Sequence, residues 1–262
     1  MSLVVRRSPF KIMCDSIHAL LFREMKTRFG PGNFGYLWAL AEPIAQVAVF
    51  AVIFTLIGRT SIADVPIALF LITGILPYSF FAKALPQLSA ALDANKALLA
   101  YRQVTAIDPV LARLLIETVT FILVYIIITL AMAWLGFSVI PDDPFLLIVA
   151  SGLLVCLTLG LGLIVSTIAS YLASTSKILS MLMKPMFFIS GIFYSATMVP
   201  ESYWYLFSWN PIFHVLELSR DAYFASYETP VGSFGYLAML SLCVLSAGLA
   251  LFHLNRARFI TS

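Results

Sequence analysis

The sequence predicts an all-α integral membrane protein with six transmembrane helices, and three observations lead there. Hydrophobic residues make up 61% of the 262-residue chain and charged residues only 11%, with a mean hydropathy of +0.97, which is too apolar for a water-soluble domain. Six windows are long and apolar enough to cross roughly 30 Å of hydrocarbon as helix: 36–57, 66–82, 114–135, 145–169, 178–199 and 234–254. Runs of alternating polarity are absent, so a helical bundle is the remaining way to satisfy the backbone inside lipid.

Charge placement orients the bundle. All Lys and Arg residues except Arg59 and Arg220 fall in the N-terminal segment, the 83–113 and 173–184 regions or the C-terminal tail, so the positive-inside rule puts both termini in the cytoplasm. The opposite loops carry Asp64, Asp142, Asp143, Glu201, Glu217, Asp221 and Glu228, which agrees with an even number of spans. No cleavable signal pattern is expected, because the first long apolar stretch begins only at Tyr36 and lacks a small-residue cleavage site. Cys14, Cys156 and Cys243 are far apart and read as small hydrophobes rather than as a metal site or disulfide framework.

The division in chain order is a cytoplasmic interface helix within 1–35, spans one to five within 36–199, a periplasmic segment at 200–233, span six at 234–254 and a cytoplasmic tail at 255–262. In the first part, Ile17, Leu20, Leu21, Met25 and Phe29 recur near helical spacing, with Arg23, Lys26 and Thr27 on the other face. That pattern predicts a helix lying in the membrane plane. Gly30-Pro31-Gly32-Asn33 breaks it and turns the chain into span one, with Tyr36 and Trp38 at the interface. Gly74 and Pro77 interrupt the short second span and predict a kink.

Between spans two and three, charged Asp93, Lys96, Arg102 and Asp108 alternate with Leu88, Leu92, Leu98, Leu99 and Tyr101. The segment 86–109 reads as a cytoplasmic amphipathic helix that docks a partner, or as a solvated loop. In span four, Gly152, Gly160, Gly162, Ser166, Ser170 and Ser174 predict a close helix contact, within one subunit or between two. The stretch 200–220 places Tyr203, Trp204, Tyr205, Phe207 and Trp209 before Asn210-Pro211 and is too short and polar for two full spans. It reads either as an outward-facing re-entrant hairpin or as an aromatic interfacial loop.

Motifs for bond chemistry are missing. The nearest approach to a phosphate-binding loop, Gly160-Leu161-Gly162-Leu163-Ile164-Val165-Ser166-Thr167, lacks the lysine and lies inside a span, and neither H-E-x-x-H nor G-x-S-x-G occurs. No catalytic residue and no metal or other cofactor is expected on this chain. Three intramembrane charges stand out. Arg113 and Glu117, four apart, can neutralise each other on one helix face, and Glu42, about 9 Å into span one at 1.5 Å per residue, can pair with Arg113 or Lys184. The cluster of midplane acids and bases that marks a proton-coupled carrier is absent. Tyr78, Phe187, Phe188, Tyr194, Tyr203 and Trp204 gather toward the outer halves of spans two and five and the following segment. Flat aromatic faces stack on sugar rings, so they could line a path for a glycan together with Trp38; alternatively they are core or belt aromatics.

Four motifs resemble one family. The helix Arg23-Glu24-x-Lys26-Thr27-Arg28, the span opening Gly35-x-x-Trp38-x-x-x-Glu42-Pro43, Tyr101-Arg102-Gln103-Val104 with Asp108, and Asn210-Pro211-x-x-His214-x-x-Glu217-x-x-Arg220 together look like the membrane permease of capsular polysaccharide ABC exporters. The second and last of these are shared with O-antigen and teichoic acid permeases, which stay open as alternatives, and Phe29 stands where many relatives have Tyr. The resemblance implies a homodimer in a cell inner membrane, paired with a separate ATPase subunit that holds ATP and Mg. It also implies a lipid-linked polysaccharide as cargo, handed to a periplasmic co-polymerase and an outer-membrane channel. By the same resemblance, Arg23, Lys26 and Arg28 would meet the lipid headgroup, and Asp93, Asn95, Lys96 and Arg102 would face the ATPase. No nucleic acid is expected, and an ion-coupled carrier or channel is the rival of another class.

Overall fold

A computed structural model describes residues 9–29, 34–99 and 104–261. The helices are α1 (Pro9–Phe29), α2 (Phe34–Leu56), α3 (Ile67–Ser89), the single turns α4 (Ala91–Ala94) and α5 (Lys96–Leu99), α6 (Ile107–Trp134), α7 (Pro144–Ala169), α8 (Thr175–Ile189), α9 (Pro211–Tyr223), α10 (Phe234–Leu254) and α11 (Arg256–Thr261). Strands β1 (Ser61–Ile62) and β2 (Val65–Pro66) make a minimal hairpin between α2 and α3. Its turn residues Ala63 and Asp64 both have positive φ, as a tight two-residue hairpin loop requires. Short 3-10 turns at Ala196–Met198 and Glu201–Leu206 lead from α8 to α9.

Sequence chemistry fixes where several helices start. Thr105 and Asp108 meet at the head of α6, the Thr105 backbone N–H and hydroxyl both donating to the Asp108 carboxylate at 2.8 and 2.7 Å, the carboxylate half of a capping box. Asp143 accepts the Leu146 N–H at 3.0 Å ahead of Pro144. Asn210 does the same for Ile212 at 3.0 Å ahead of Pro211. In both cases a side-chain acceptor at the cap is followed by a proline that needs no N–H partner.

α3 is the central helix: it packs on α2, α6, α7, α8 and α9, and its apolar side chains Phe70, Leu71, Ile75 and Leu88 are fully buried. α7 lies closely against α10. A Cβ on Gly160 would stand 2.6 Å from the Leu245 backbone nitrogen, and one on Gly248 would stand 2.5 Å from the Gly160 carbonyl oxygen. The small-residue face expected in the fourth span therefore serves a contact inside one subunit. Gly162 seats Leu88 of α3 in the same way, whereas Gly152 has open space.

Among the described residues, four helices, α3, α6, α7 and α10, are long and apolar enough to cross a membrane, and 40–56 of α2 is a shorter apolar helix. The expected boundaries shift in three places. α3 continues past residue 82 to Ser89, and α6 begins at Ile107 rather than 114. The fifth window does not stay helical to 199: α8 stops at Ile189, where Gly191 takes φ +79° and leaves space only for the Phe213 ring, 2.7 Å from where its Cβ would be. A left-handed glycine just past a helix end is the usual stop. The single amphipathic helix expected at 86–109 is instead the end of α3 followed by α4 and α5.

Candidate functional site

Three helices of unequal character enclose a cleft of about 580 Å³. α2 contributes Glu42 and Gln46, α3 contributes Tyr78, Ser79, Ala82 and Lys83, and α8 contributes Ser180, Met183, Lys184, Phe187 and Phe188. The volume lies in the range of about 300–1,000 Å³ of ligand-binding clefts. Glu42 accepts a bond from Lys83 Nζ at 2.7 Å, so the pairing expected with Arg113 or Lys184 is replaced: Lys83, one helix away, is nearer. Glu117 lies across α3, lining a small cavity of about 40 Å³ that also touches Ser79 and Lys83.

One wall of the cleft is aromatic. Tyr78 and Phe187 meet edge-on with centroids 5.3 Å apart, and Phe187 and Phe188 at 5.5 Å, the geometry that ring quadrupoles favour. The Tyr78 hydroxyl donates to the Met183 carbonyl and holds α3 on α8. Behind this wall Phe187 continues to Phe193 at 5.3 Å and Phe193 to Phe50 of α2 at 4.6 Å. Of the residues expected to line a path, Tyr78, Phe187 and Phe188 come together here. Tyr194 belongs to a separate group with Phe207 and Phe213. Trp204 donates its indole N–H to the Val199 carbonyl at 2.9 Å inside its own turn. Tyr203 is exposed above that turn, and Trp38 is exposed one helical turn before Glu42. Sequence reasoning missed Lys83, Ser79, Gln46 and Ser180; facing residues on three helices carry no shared spacing.

α9 fixes one end of the bundle. Its residues Glu217 and Arg220 are both 0% exposed and 3.4 Å apart. Arg220 donates to the Ile192 and Tyr194 carbonyls at 3.0 and 3.2 Å and lies 3.7 Å over the Phe70 ring. Glu217 accepts from the Tyr227 and Thr229 hydroxyls at 2.7 and 2.9 Å and from the Ala196 N–H at 3.3 Å. His214 accepts the Ser233 N–H at Nδ1, 3.2 Å, and its Nε2 lies 2.8 Å from the Ser208 carbonyl; those two bonds together assign the neutral tautomer protonated at Nε2. The buried α9 thus ties the 190–199 turn, α3 and the 224–233 loop into one unit.

The charged residues near the other end form a second junction. Glu24 of α1 accepts from Arg113 Nε and Nη2 at 3.2 and 3.1 Å and from Asn95 Nδ2 at 3.0 Å. Arg113 also donates to the Gln87 carbonyl at 2.8 Å, so it bridges α1 and α3. Burial opposes ionisation of Glu24, but the Asn95 bond and the Arg113 charge outweigh it and hold the carboxyl below its ordinary range. Asn95 is buried and faces α1, not the surface; Asp93 and Lys96 are exposed, as are Arg23 and Lys26. Arg23 reaches the Ala94 carbonyl at 3.3 Å. Arg102 and the Arg28 side chain lie outside the described residues.

Comparison with known proteins gives a consistent result. Residues 15–224 match the family model described as ABC-2 type transporter. The chain is similar to the "Polysialic acid transport protein KpsM" of Escherichia coli, 36% identical over 98% of this chain and 99% of that protein. It is also similar to the "Capsule polysaccharide export inner-membrane protein CtrC" of Neisseria meningitidis, 28% identical over 89% of this chain and 88% of that one. A third relative is the "Capsule polysaccharide export inner-membrane protein BexB" of Haemophilus influenzae, 27% identical over 90% and 89%.

Proposed function

From the chain's membership in the ABC-2 type transporter family, we propose that it is the inner-membrane permease subunit of a capsular polysaccharide exporter. The observation that carries the reading is the near full-length similarity to relatives named for capsule polysaccharide export and polysialic acid transport. The cleft supports it from the side of chemistry: an aromatic wall of Tyr78, Phe187 and Phe188 faces hydroxyl, amide and charged groups. A sugar ring needs both surfaces, one to stack on and one to hydrogen-bond.

In this reading six segments cross the membrane. α3, α6, α7 and α10 are joined by α2 and by α8, which is completed by the 190–199 turn, and α9 is the re-entrant helix on the periplasmic side. An even number of crossings puts both termini on one side, and the Lys and Arg distribution makes that side the cytoplasm. α1 lies along the inner surface, where Arg23, Lys26 and Arg28 attract an anionic headgroup at about 1 kcal/mol each. Two copies form the conduit. ATP and Mg bind to a separate ATPase subunit that docks at the exposed Asp93 and Lys96 and at Arg102, and the cargo is a lipid-linked polysaccharide passed to a periplasmic co-polymerase and an outer-membrane channel. The chain itself breaks no bonds.

The test is complementation and copurification. A capsulated host lacking its own permease should regain surface polysaccharide when this chain and its cognate ATPase are expressed, and tagged permease should retain the untagged ATPase with nucleotide-hydrolysing activity. Reversing Lys96 and Arg102 to Glu should lower ATPase recovery. Restored capsule without any bound ATPase would remove the ABC assignment.

A further inference from the structure

We infer that the cleft between α2, α3 and α8 binds an oxyanion of the transported chain through Lys184 and Lys83, and that Glu42 keeps this binding weak enough for the chain to move on. The inference rests on the permease reading above and adds the ligand chemistry and a release device. Lys184 makes no ion pair or hydrogen bond among the described residues, although it lines the cleft. Around it on α8, Ile178, Met181, Leu182 and Phe188 are exposed and apolar. An ammonium among such neighbours at membrane depth lacks a counter-charge. An anion held in the cleft supplies it.

Lys83 is the second cation, and it is already engaged. Its bond to Glu42 is 2.7 Å, yet the two side chains are 36% and 52% exposed. An ion pair so accessible is weak and exchangeable. The cleft therefore offers two ammonium groups against one carboxylate, with Ser79, Ser180 and Gln46 as hydrogen-bonding neighbours. A sugar stacked on the accessible rings of Phe187 and Phe188 would carry its acidic substituent toward the lysines. The chemistry fits a carboxylate on the glycan or a phosphodiester of its lipid anchor.

Glu42 has a definite role in this arrangement. Conduction requires binding favourable enough to enter and weak enough to leave, and Glu42 competes with the ligand for Lys83. Removing it leaves both lysines to the anion. Glu42→Gln should thus bind an anionic glycan more tightly while moving it more slowly, a pairing that simple loss of packing does not produce.

The experiment uses the permease–ATPase complex in phosphatidylcholine nanodiscs and a fluorescent octagalacturonate, with its carboxyl-reduced form as the neutral comparison. Wild type should bind the acidic probe in preference to the neutral one, more weakly as salt rises. Lys184→Gln should weaken binding on the order of tenfold, the effect of one charged hydrogen bond, and Lys184→Arg should retain it. Glu42→Gln should tighten binding while cellular export slows. If added phosphatidylglycerol displaces the probe from wild type and not from Lys184→Gln, the lipid phosphate is the anion; if it does not, the glycan carboxylate is. No preference for the acidic probe in wild type, or unchanged affinity in both Lys184→Gln and Glu42→Gln, overturns the anion site. Wild-type restoration of capsule in the same cells keeps that failure distinct from failure of the permease reading.

Discussion

Arg220 illustrates what a single buried charge needs. Desolvating a guanidinium is expensive, and here one carboxylate, two backbone carbonyls and the face of Phe70 surround it. Those partners are planar or forked in a way only arginine matches. Arg220→Lys should therefore behave nearly as badly as removal of the charge, because one ammonium cannot reach both carbonyls and lie flat on a ring. Breaking a buried pair costs about 3–5 kcal/mol, enough to lower membrane-inserted protein sharply. Glu217→Gln should do the same, since it leaves Arg220 charged and without its carboxylate. Thermal unfolding of the purified complex checks both; a wild-type midpoint for Arg220→Lys would show that the two carbonyl bonds and the ring contact contribute little. Gly74→Ala reports on the same contact from α3, because its Cβ would stand 2.8 Å from Arg220 Nη2.

At the scale of elements, a polar junction ties α1 to the bundle. Leu20 is buried, but Met25 of the expected stripe is exposed and so is Phe22, while Glu24 binds α6 through Arg113 and the 91–99 segment through Asn95. The depressed Glu24 carboxyl gives this docking a pH dependence with a definite sign. A group whose folded pKa lies below its unfolded value contributes above the unfolded pKa, near 4.5, and its contribution disappears as pH falls through the lower folded value. α1 should stay docked from neutral pH down to mild acid and loosen only below that, whereas Glu24→Gln should loosen it already at pH 7. Amide exchange along α1, followed against pH, reads this directly; an unchanged α1 in Glu24→Gln would remove the junction. The same residues show where sequence legibility ends. Helix starts at Asp143, Asn210 and the Thr105–Asp108 pair are local chemistry and visible in the chain. Asn95 reads as a surface polar residue, and only the approach of Glu24, distant in sequence, makes it a buried bridge.

Across the whole molecule, the membrane class and the helical bundle follow from hydropathy, because a backbone in lipid has few options. Which helices touch is a different kind of information, and the α7–α10 contact was legible only as a run of small residues without a named partner. The structure supplies that partner. α10 has few buried side chains of its own and packs chiefly against α7, so its place in the bundle depends on how closely the two backbones approach. At Gly160 the neighbouring atoms are Leu245 N and Cα, at 2.6 and 2.7 Å from a built Cβ, and backbone of this kind cannot rotate aside as a side chain could. Gly160→Ala should push the helices apart and destabilise the protein by about 1–3 kcal/mol, the usual effect of overpacking. Gly152→Ala on the same helix meets nothing within 4 Å, and there alanine's helix preference should act alone, stabilising by about 0.5–1 kcal/mol. The two substitutions remove the same glycine freedom from the same helix, so opposite signs isolate the helix contact from propensity. Thermal unfolding of the two variants in one detergent, with cross-linking of α7 to α10 as the structural readout, decides it. Equal shifts of the same sign would mean that α7 and α10 are not held by their close backbone contact.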